Sequence, residues 1–401
     1  MPSGPDYEYA LSPTTQFYFC GVPFRLDTIS ICPGRCSYCF AMSRGGSRTR
    51  QVCLASHTWL RRKFDTLDAE KTDIRGEMLL HRVPIHFGGI SDPFANRQLV
   101  KRSMDLLRVI RDYDYPVIIS TKSTTQMLRT ELIDLLRSIK YLMVQVPIGA
   151  PSDEFASFAE PYMPSVSDRI RCIAALSGCG IHTAVRLQPL LVPWIEPTVA
   201  ELVGRIGDAK CKHVVVEFLK LPVERKMPYL SRLFRRINWD GAESYRRLGA
   251  QRIGREWVLP APHKWELLQP LISTIRRHGM TYGSADYGLN HLGDTACCCG
   301  VSELPGFSNW FKGNIASVIR ESKTGPVLFE HMMCEWLPQR SMRRYMNSHC
   351  RMPANNSMEC YLRQKWNSPG SANAPDALLG ISWTGERDGG HNCIYQKESV
   401  A

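Results

Sequence analysis

Three cysteines, Cys32, Cys36 and Cys39, lie in one short segment with C-x3-C-x2-C spacing, and their thiols are the side chains best suited to chemistry. Thiolates this close together cannot all pair with one another as disulfides, but they can converge on one inorganic centre. Cysteine thiolate is the usual protein ligand of iron–sulfur clusters. Three ligands on a four-iron cluster leave one iron without a protein ligand, and an open position is where chemistry takes place. The alternatives are reduced core thiols or a zinc site, which normally needs a fourth Cys or His ligand that does not lie next to this segment.

The end of the segment, Tyr38-Cys39-Phe40, resembles the cluster motif of the radical S-adenosylmethionine (SAM) enzymes. In that family three cysteines hold a [4Fe-4S] cluster, and SAM chelates the open iron through its amino and carboxylate groups. One electron from the cluster then cleaves SAM to a 5′-deoxyadenosyl radical. The resemblance implies that Cys32, Cys36 and Cys39 are the metal ligands and that Tyr38 and Phe40 bind the cofactor.

Six strand-like segments alternate with helical segments, at residues 24–31, 83–87, 117–121, 142–146, 183–187 and 213–219. Such alternation predicts parallel βαβ units with right-handed crossovers, which close into a full or partial barrel. Active sites in such barrels lie at the carboxyl ends of the strands, and the cysteine segment follows the first strand. The family resemblance implies the same architecture, an α/β partial (β/α)6 TIM-type barrel.

The chain divides by composition into three predicted regions. Residues 1–23 are an irregular lead-in rich in proline, residues 24–290 form the barrel, and residues 291–401 are a Cys-rich extension with weak periodicity.

Motifs at the strand ends indicate which branch of the radical SAM family the chain resembles. Sequences similar to those of the spore photoproduct lyase and DNA repair photolyase-like branch recur in order at residues 89–93, 120–123, 160–165 with Arg169, and 186–189. The resemblance implies that Gly88 and Gly89 contact the amino group of SAM and that Lys122 contacts its carboxylate. Gln145 and Arg186, at the ends of later strands, are expected to line the SAM or substrate pocket. Without the cysteine segment, the glycines would be read as a simple strand-to-helix turn and Lys122 as a solvated lysine.

The chain also departs from that branch. Its enzymes carry a hydrogen-donor cysteine on the barrel, whereas this chain has no cysteine between Cys53 and Cys172. Val146-Pro147 stands where a polar residue is expected in the fourth strand region. Repair of a thymine dimer of the spore type is therefore not predicted.

The extension contains a run of three cysteines, Cys297, Cys298 and Cys299. One interpretation is a second metal centre completed by the later cysteines Cys334, Cys350 and Cys360. Another makes Cys298 or Cys299 a catalytic hydrogen donor to a product radical. The third is that these are structural, buried thiols.

The chain has 50 Lys and Arg against 38 Asp and Glu, a net charge of +12, which favours a polyanionic partner such as nucleic acid. Arginines are interleaved with aromatic residues between residues 225 and 256, as in surfaces that track phosphates. The 15 cysteines and the absence of a signal-like start predict reduced thiols, a cytoplasmic location and no membrane partner. An electron donor such as flavodoxin or ferredoxin is expected.

The preferred hypothesis is a radical SAM enzyme, of lyase or modification type, that abstracts hydrogen from a nucleobase or nucleotide of DNA for repair or modification. The first alternative is a radical SAM maturase of a peptide or small molecule with an auxiliary cluster. The alternative from another class is a non-enzymatic, metal-stabilised nucleic-acid-binding protein.

Overall fold

The structure, a computed structural model, describes residues 7, 9–14, 16–43, 52–195, 198–223, 228–322, 325–341, 343, 357–372 and 374–398. Its strands are β1 (Leu11–Pro13), β2 (Phe24–Leu26), β3 (Ile85–Phe87), β4 (Val117–Ser120), β5 (Leu142–Pro147), β6 (His182–Leu190), β7 (His213–Phe218), β8 (Leu221–Pro222), β9 (Gln251–Ile253), β10 (Glu256–Val258), β11 (Thr281–Ser284), β12 (Ile381–Arg387) and β13 (Cys393–Lys397).

The helices fill most of the crossovers between strands. They are α1 (Phe40–Ser43), α2 (His57–Asp65), α3 (Ile74–Leu80), α4 (Arg97–Asp112), α5 (Thr124–Met127), α6 (Thr130–Ser138), α7 (Asp153–Ala159), α8 (Val166–Gly178), α9 (Thr198–Asp208), α10 (Pro228–Arg236), α11 (Gly241–Arg247), α12 (Ala261–Arg277), α13 (Ile315–Glu321), α14 (Glu330–Met333), α15 (Met358–Trp366) and α16 (Pro375–Leu378). Short 3-10 turns lie at Val192–Trp194 and Val301–Glu303.

One sheet organises the molecule, with the strand order β1-β2-β3-β4-β5-β6-β7-β11. All neighbours from β2 to β11 are parallel, and only β1 is antiparallel to its neighbour. The six predicted strands are therefore present in the predicted order, and the α/β partial-barrel fold is confirmed. The sheet is open because its two end strands, β1 and β11, have one neighbour each.

Two strands differ from the expectation drawn from the sequence. The first parallel strand ends at Leu26 rather than near residue 31, because the buried Asp27 carboxylate accepts the backbone N–H groups of Ile90 and Ser91 at 2.8 and 3.0 Å. These bonds direct the chain away from the strand pairing of β2 and towards the end of β3. The additional parallel strand β11 was not predicted, and the region expected to be an irregular lead-in contains β1.

Apolar side chains cover both faces of the parallel strands, as parallel sheets require. One face packs against the helices. On the other face, Ile118, Met143, Ala184 and Val215 join a separate cluster with side chains from the segment 297–310. This segment lies at the amino ends of the strands, because the carbonyl of Cys298 accepts a 2.9 Å hydrogen bond from His213, the first residue of β7. It closes the end of the sheet opposite to the cysteine loop.

The extension packs on the barrel rather than standing apart. Buried residues from Leu11 in β1 to Tyr395 in β13 belong to one apolar cluster. Trp366, fully buried, donates its indole N–H to the carbonyl of Cys393 at 2.6 Å and so joins α15 to the β12–β13 hairpin. The region boundaries at residues 24 and 291 stay a prediction. Within the described ranges, no helix is both long and apolar enough to cross a membrane.

Candidate cluster and cofactor site

The cysteine loop connects β2 to α1 and is fixed by hydrogen bonds at both ends. The Cys32 sulfur accepts the backbone N–H groups of Gly34 and Asp92, both at 3.4 Å. The backbone N–H and the hydroxyl of Ser37 both donate to the carbonyl of Ala159 at 2.9 Å. The loop is therefore held against the end of β3 and against α7 before any metal binds.

The three thiols of this loop are free and half-buried. Burial raises the pKa of Cys32 to about 12 and that of Cys36 to about 11, although the Lys122 charge acts against the shift at Cys36. Thiolates at this position therefore need a cationic partner, and iron would supply it. Three free thiols with a lysine charge beside them are a donor set that fits an iron–sulfur cluster.

No group of three or more His, Cys, Asp and Glu side chains in the described ranges is arranged to hold a single metal ion. This finding covers the three cysteines of the loop as well as the described cysteines of the extension. It also gives no support to a second metal centre among Cys297, Cys298, Cys299, Cys334 and Cys360. The remaining candidate ligand, Cys350, lies outside the described residues.

Lys122 lies at the centre of the site, directly after β4. Its ammonium is 2.7 Å from the Tyr38 hydroxyl, 2.8 Å from Glu160 Oε1 and 3.6 Å from the Cys36 sulfur. Burial lowers the pKa of Lys122, while Cys36 raises it. Three segments that are distant in sequence thus meet at one amine, and the predicted residues Lys122, Tyr38 and Cys36 are brought together.

Glu160 is fully buried, and its second oxygen accepts from Arg169, which is also fully buried. Arg169 donates further to the carbonyls of Pro164 at 2.7 Å and Pro147 at 3.2 Å. Burial raises the pKa of Glu160, and the Arg169 charge partly offsets that rise. The sequence motif contained Glu160 and Arg169, but no role could be assigned to either without the geometry.

Asp92 is a site residue that the sequence reasoning missed. Its carboxylate accepts the backbone N–H of Lys122 at 2.7 Å and the Thr121 hydroxyl at 2.9 Å, while its own N–H faces the Cys32 sulfur. It therefore ties the end of β4 to the cysteine loop. The available signal was an acidic residue just before Pro93, at the end of a predicted strand.

The glycine pair turns the chain after β3. Gly88 has a φ of +88°, and a Cβ there would lie 2.4 Å from the Ser120 carbonyl oxygen. A Cβ at Gly89 would lie 3.2 Å from the Cβ of Arg25. Packing within the protein alone requires glycine at position 88, and the contact of both residues with the SAM amino group stays a prediction.

Gln145 and Arg186 lie on β5 and β6. The Gln145 side-chain oxygen accepts from the Ser120 hydroxyl at 3.3 Å, while its amide nitrogen is buried and has no protein partner in the part of the chain that the structure describes. Arg186 is 3.4 Å from the Glu217 carboxylate on β7. The Phe40 ring at the start of α1 is 46% exposed. The cofactor or substrate contacts of these three predicted residues stay a prediction.

The cysteine run of the extension lies at the other end of the sheet. Cys297 and Cys299 are buried with their sulfurs 3.2 Å apart. The pKa of Cys298 is lowered because Cys297 and Cys299 hydrogen-bond to its sulfur, and because Arg186 and His213 add positive charge. The predicted role of Cys298 or Cys299 as a hydrogen donor stays a prediction.

No protein-family model and no curated protein matches the sequence. Among solved structures, a spore photoproduct lyase variant with bound AdoMet (SAM) and dinucleoside spore photoproduct is similar, with a TM-score of 0.51 and 15% sequence identity over 68% of this chain and 78% of the lyase. The lyase complexed with dinucleoside spore photoproduct has a TM-score of 0.50 and 15% identity over the same shares of the two chains. At this identity the likeness establishes the fold. The chain therefore has the radical SAM fold, in the variant that is seen in spore photoproduct lyase.

Proposed function

We propose that the chain is a radical SAM enzyme that holds a [4Fe-4S] cluster through Cys32, Cys36 and Cys39. The observation that carries the proposal is the Lys122 ammonium, placed 3.6 Å from the Cys36 sulfur at the carboxyl end of the parallel sheet. A bound cluster would supply the electron that cleaves SAM to a 5′-deoxyadenosyl radical for hydrogen abstraction. A one-electron donor such as flavodoxin or ferredoxin would reduce it.

The residues of the chain have distinct roles in this proposal. Lys122 supplies a positive charge that attracts the carboxylate of SAM, while its three N–H donors keep their partners Tyr38, Glu160 and Cys36. Tyr38 lies against this amine, with the Lys122 nitrogen 4.7 Å from the centre of its ring. Gly88 and Gly89 leave room for the amino group of SAM. The wall of strands excludes water from the reacting atoms, which protects a reactive radical from premature quenching.

The proposed substrate is a nucleobase or nucleotide of DNA. The net charge of +12 supports a polyanionic partner. The β9–β10 hairpin presents the exposed side chains of Arg252 and Arg255, and Trp257 on the same hairpin is 40% exposed. Arginine and an exposed indole together suit phosphate contact and base stacking. The dinucleoside bound by the structurally similar lyase belongs to the same chemical class.

If a thiol returns a hydrogen atom to the product radical, the candidate is Cys298 or Cys299. Its S–H bond would break, a C–H bond would form on the product, and a thiyl radical would remain for later reduction. Both cysteines lie in the segment 297–310, at the amino ends of the strands and opposite to the cysteine loop, so this role requires the product radical to reach that end of the sheet.

The decisive experiment is anaerobic reconstitution with iron and sulfide, followed by dithionite and SAM. We expect the wild-type protein to bind about four iron atoms per chain, as one cluster requires, and to form 5′-deoxyadenosine detectable by mass spectrometry. Cys36→Ala should abolish this product, whereas Cys179→Ala, at an exposed cysteine outside the loop, should retain it. Absence of the product from the wild type, or equal amounts from Cys36→Ala, would show the proposal to be wrong. About eight iron atoms per chain would favour a maturase with an auxiliary cluster.

A further inference from the structure

We propose that Glu160 is a positioning residue that fixes the Lys122 ammonium between Cys36 and Tyr38, so that the lysine charge sets the reduction potential of the cluster. The inference rests on the proposed function, because it needs a cluster on Cys32, Cys36 and Cys39. It assigns a purpose to a buried carboxylate that neither coordinates iron nor faces solvent.

The three N–H donors of the Lys122 ammonium each have a partner in the structure. Two bonds are short, 2.7 Å to the Tyr38 hydroxyl and 2.8 Å to Glu160 Oε1. The third, to the Cys36 sulfur, is 3.6 Å long, as expected for a sulfur acceptor. Since an ammonium has three donors and no acceptor, these contacts define the position of the nitrogen completely.

Glu160 can act as a fixed anchor because it is itself held from behind. Arg169 donates to its other oxygen, and both side chains are fully buried. Arg169 in turn is tied to two backbone carbonyls, those of Pro147 and Pro164. The Glu160–Arg169 ion pair therefore links the end of β5 to the segment between α7 and α8. The Glu160 carboxylate is therefore anchored independently of Lys122.

A positive charge at this position acts on the cluster through Cys36. Reduction adds negative charge to an iron–sulfur cluster, and hydrogen bonds to its sulfurs and nearby net charge are known determinants of its potential. A buried ammonium stabilises the reduced form more than a solvated one does, because the surrounding dielectric is low. The Glu160 carboxylate opposes this effect. The two residues should therefore shift the potential in opposite directions when their charges are removed.

The test uses the full chain, reconstituted anaerobically, and measures the midpoint potential of the cluster by EPR-monitored redox titration without SAM. We expect Lys122→Met to lower the potential, Glu160→Gln to raise it, and Lys122→Arg, which keeps the charge, to leave it near the wild-type value. The matched control is Glu154→Gln, at an exposed glutamate on α7, which should change nothing. SAM affinity, measured by equilibrium dialysis, should fall roughly tenfold or more in Lys122→Met, because the positive charge that attracts the SAM carboxylate is lost.

Glu160→Gln leaves Arg169 without its carboxylate partner and could reduce folding, so Glu160→Asp is measured beside it. This variant keeps the charge but shortens the side chain, which draws the ammonium away from Cys36 and should lower the potential. A purely structural role of Glu160 predicts no such shift.

Equal potentials in the wild type and all folded variants, or shifts of the same sign in Lys122→Met and Glu160→Gln, would overturn the inference. A wild-type protein that binds no cluster would overturn it together with the proposed function. A wild-type protein that shows the opposed shifts but forms no 5′-deoxyadenosine would support the inference and contradict only the proposed SAM cleavage.

Discussion

At the scale of single residues, Gly88 shows how a family motif and simple packing can require the same amino acid. Its φ of +88° is one that L side chains rarely adopt, and a Cβ would meet the Ser120 carbonyl oxygen at 2.4 Å. Gly180 has a similar φ of +77°, but no atom lies within 4 Å of where its Cβ would be. A comparison of substitutions at the two glycines therefore distinguishes the cost of backbone strain from the cost of steric contact.

We expect Gly180→Ala to lower the free energy of unfolding by about 1 kcal/mol, the usual cost of backbone strain. Gly88→Ala should cost roughly 2 kcal/mol more, because its Cβ must also displace packed backbone. Urea denaturation of the metal-free proteins measures both values. Equal costs for the two variants would mean that the contact with Ser120 does not constrain position 88.

Cysteine spacing and the family resemblance pointed to the three cysteines and Lys122 as candidate site residues, and the structure places Lys122 beside Cys36. The partner of Lys122 could not be predicted in the same way. Glu160 lies 38 positions further along the chain, and its carboxylate meets the lysine only because β4, β5 and the helix that follows β5 are neighbours in the fold. Buried ion pairs of this kind depend on tertiary contacts that no local pattern reveals.

At the scale of elements, the β9–β10 hairpin presents a surface that would suit the proposed nucleic-acid substrate. It belongs to a small three-stranded sheet with β8, which the pattern of arginines and aromatic residues between residues 225 and 256 did not predict. Arg252 and Arg255 are exposed on it. On the neighbouring helix α11, Arg246 and Arg247 are exposed too, but both donate to Glu243. The hairpin arginines are therefore the stronger candidates for phosphate contacts.

We expect Arg252→Ala combined with Arg255→Ala to weaken the binding of a fluorescein-labelled DNA duplex, measured by anisotropy over a series of salt concentrations. Loss of two phosphate contacts should reduce the slope of log affinity against log salt by about two. Arg246→Ala combined with Arg247→Ala removes the same charge and serves as the control with a smaller effect. The assignment of the hairpin is wrong if the control pair weakens binding as much as the hairpin pair.

Strand β11 illustrates what periodicity missed at this scale. Its four residues, Thr281–Ser284, include a glycine and are too few to show an alternating pattern. Pairing with β7 and burial of Tyr282 against the core stabilise it as a strand. The glycine is needed because the Cys298 carbonyl lies where a Cβ of Gly283 would be, 2.1 Å away. The strand is thus defined by its neighbours in space rather than by its own sequence.

At the scale of the whole molecule, burial of histidines in separate regions makes stability depend on pH. Burial lowers the pKa of His86 on β3, His182 on β6 and His291 after β11, each to about 4. At His86 the Arg186 charge adds to the effect, and at His182 the His213 charge does. Between pH 4 and about 6.5, the ordinary value for histidine, the unfolded chain binds protons at these positions that the folded chain does not.

The free energy of unfolding should therefore have its full value above about pH 6.5 and should fall as the pH decreases towards 4. Removing one buried histidine should reduce the slope of that decline by up to about 1.4 kcal/mol per pH unit. We expect His291→Gln to flatten the curve in urea denaturation of the metal-free protein between pH 7 and pH 5, whereas His391→Gln, at an exposed position, should leave it unchanged. His291 lies where the barrel meets the extension, beside Gly380, so a flattened curve would show that this junction stays closed in solution. Identical curves for the wild type and His291→Gln would show instead that the ring is solvated and that the extension does not cover the barrel at this point.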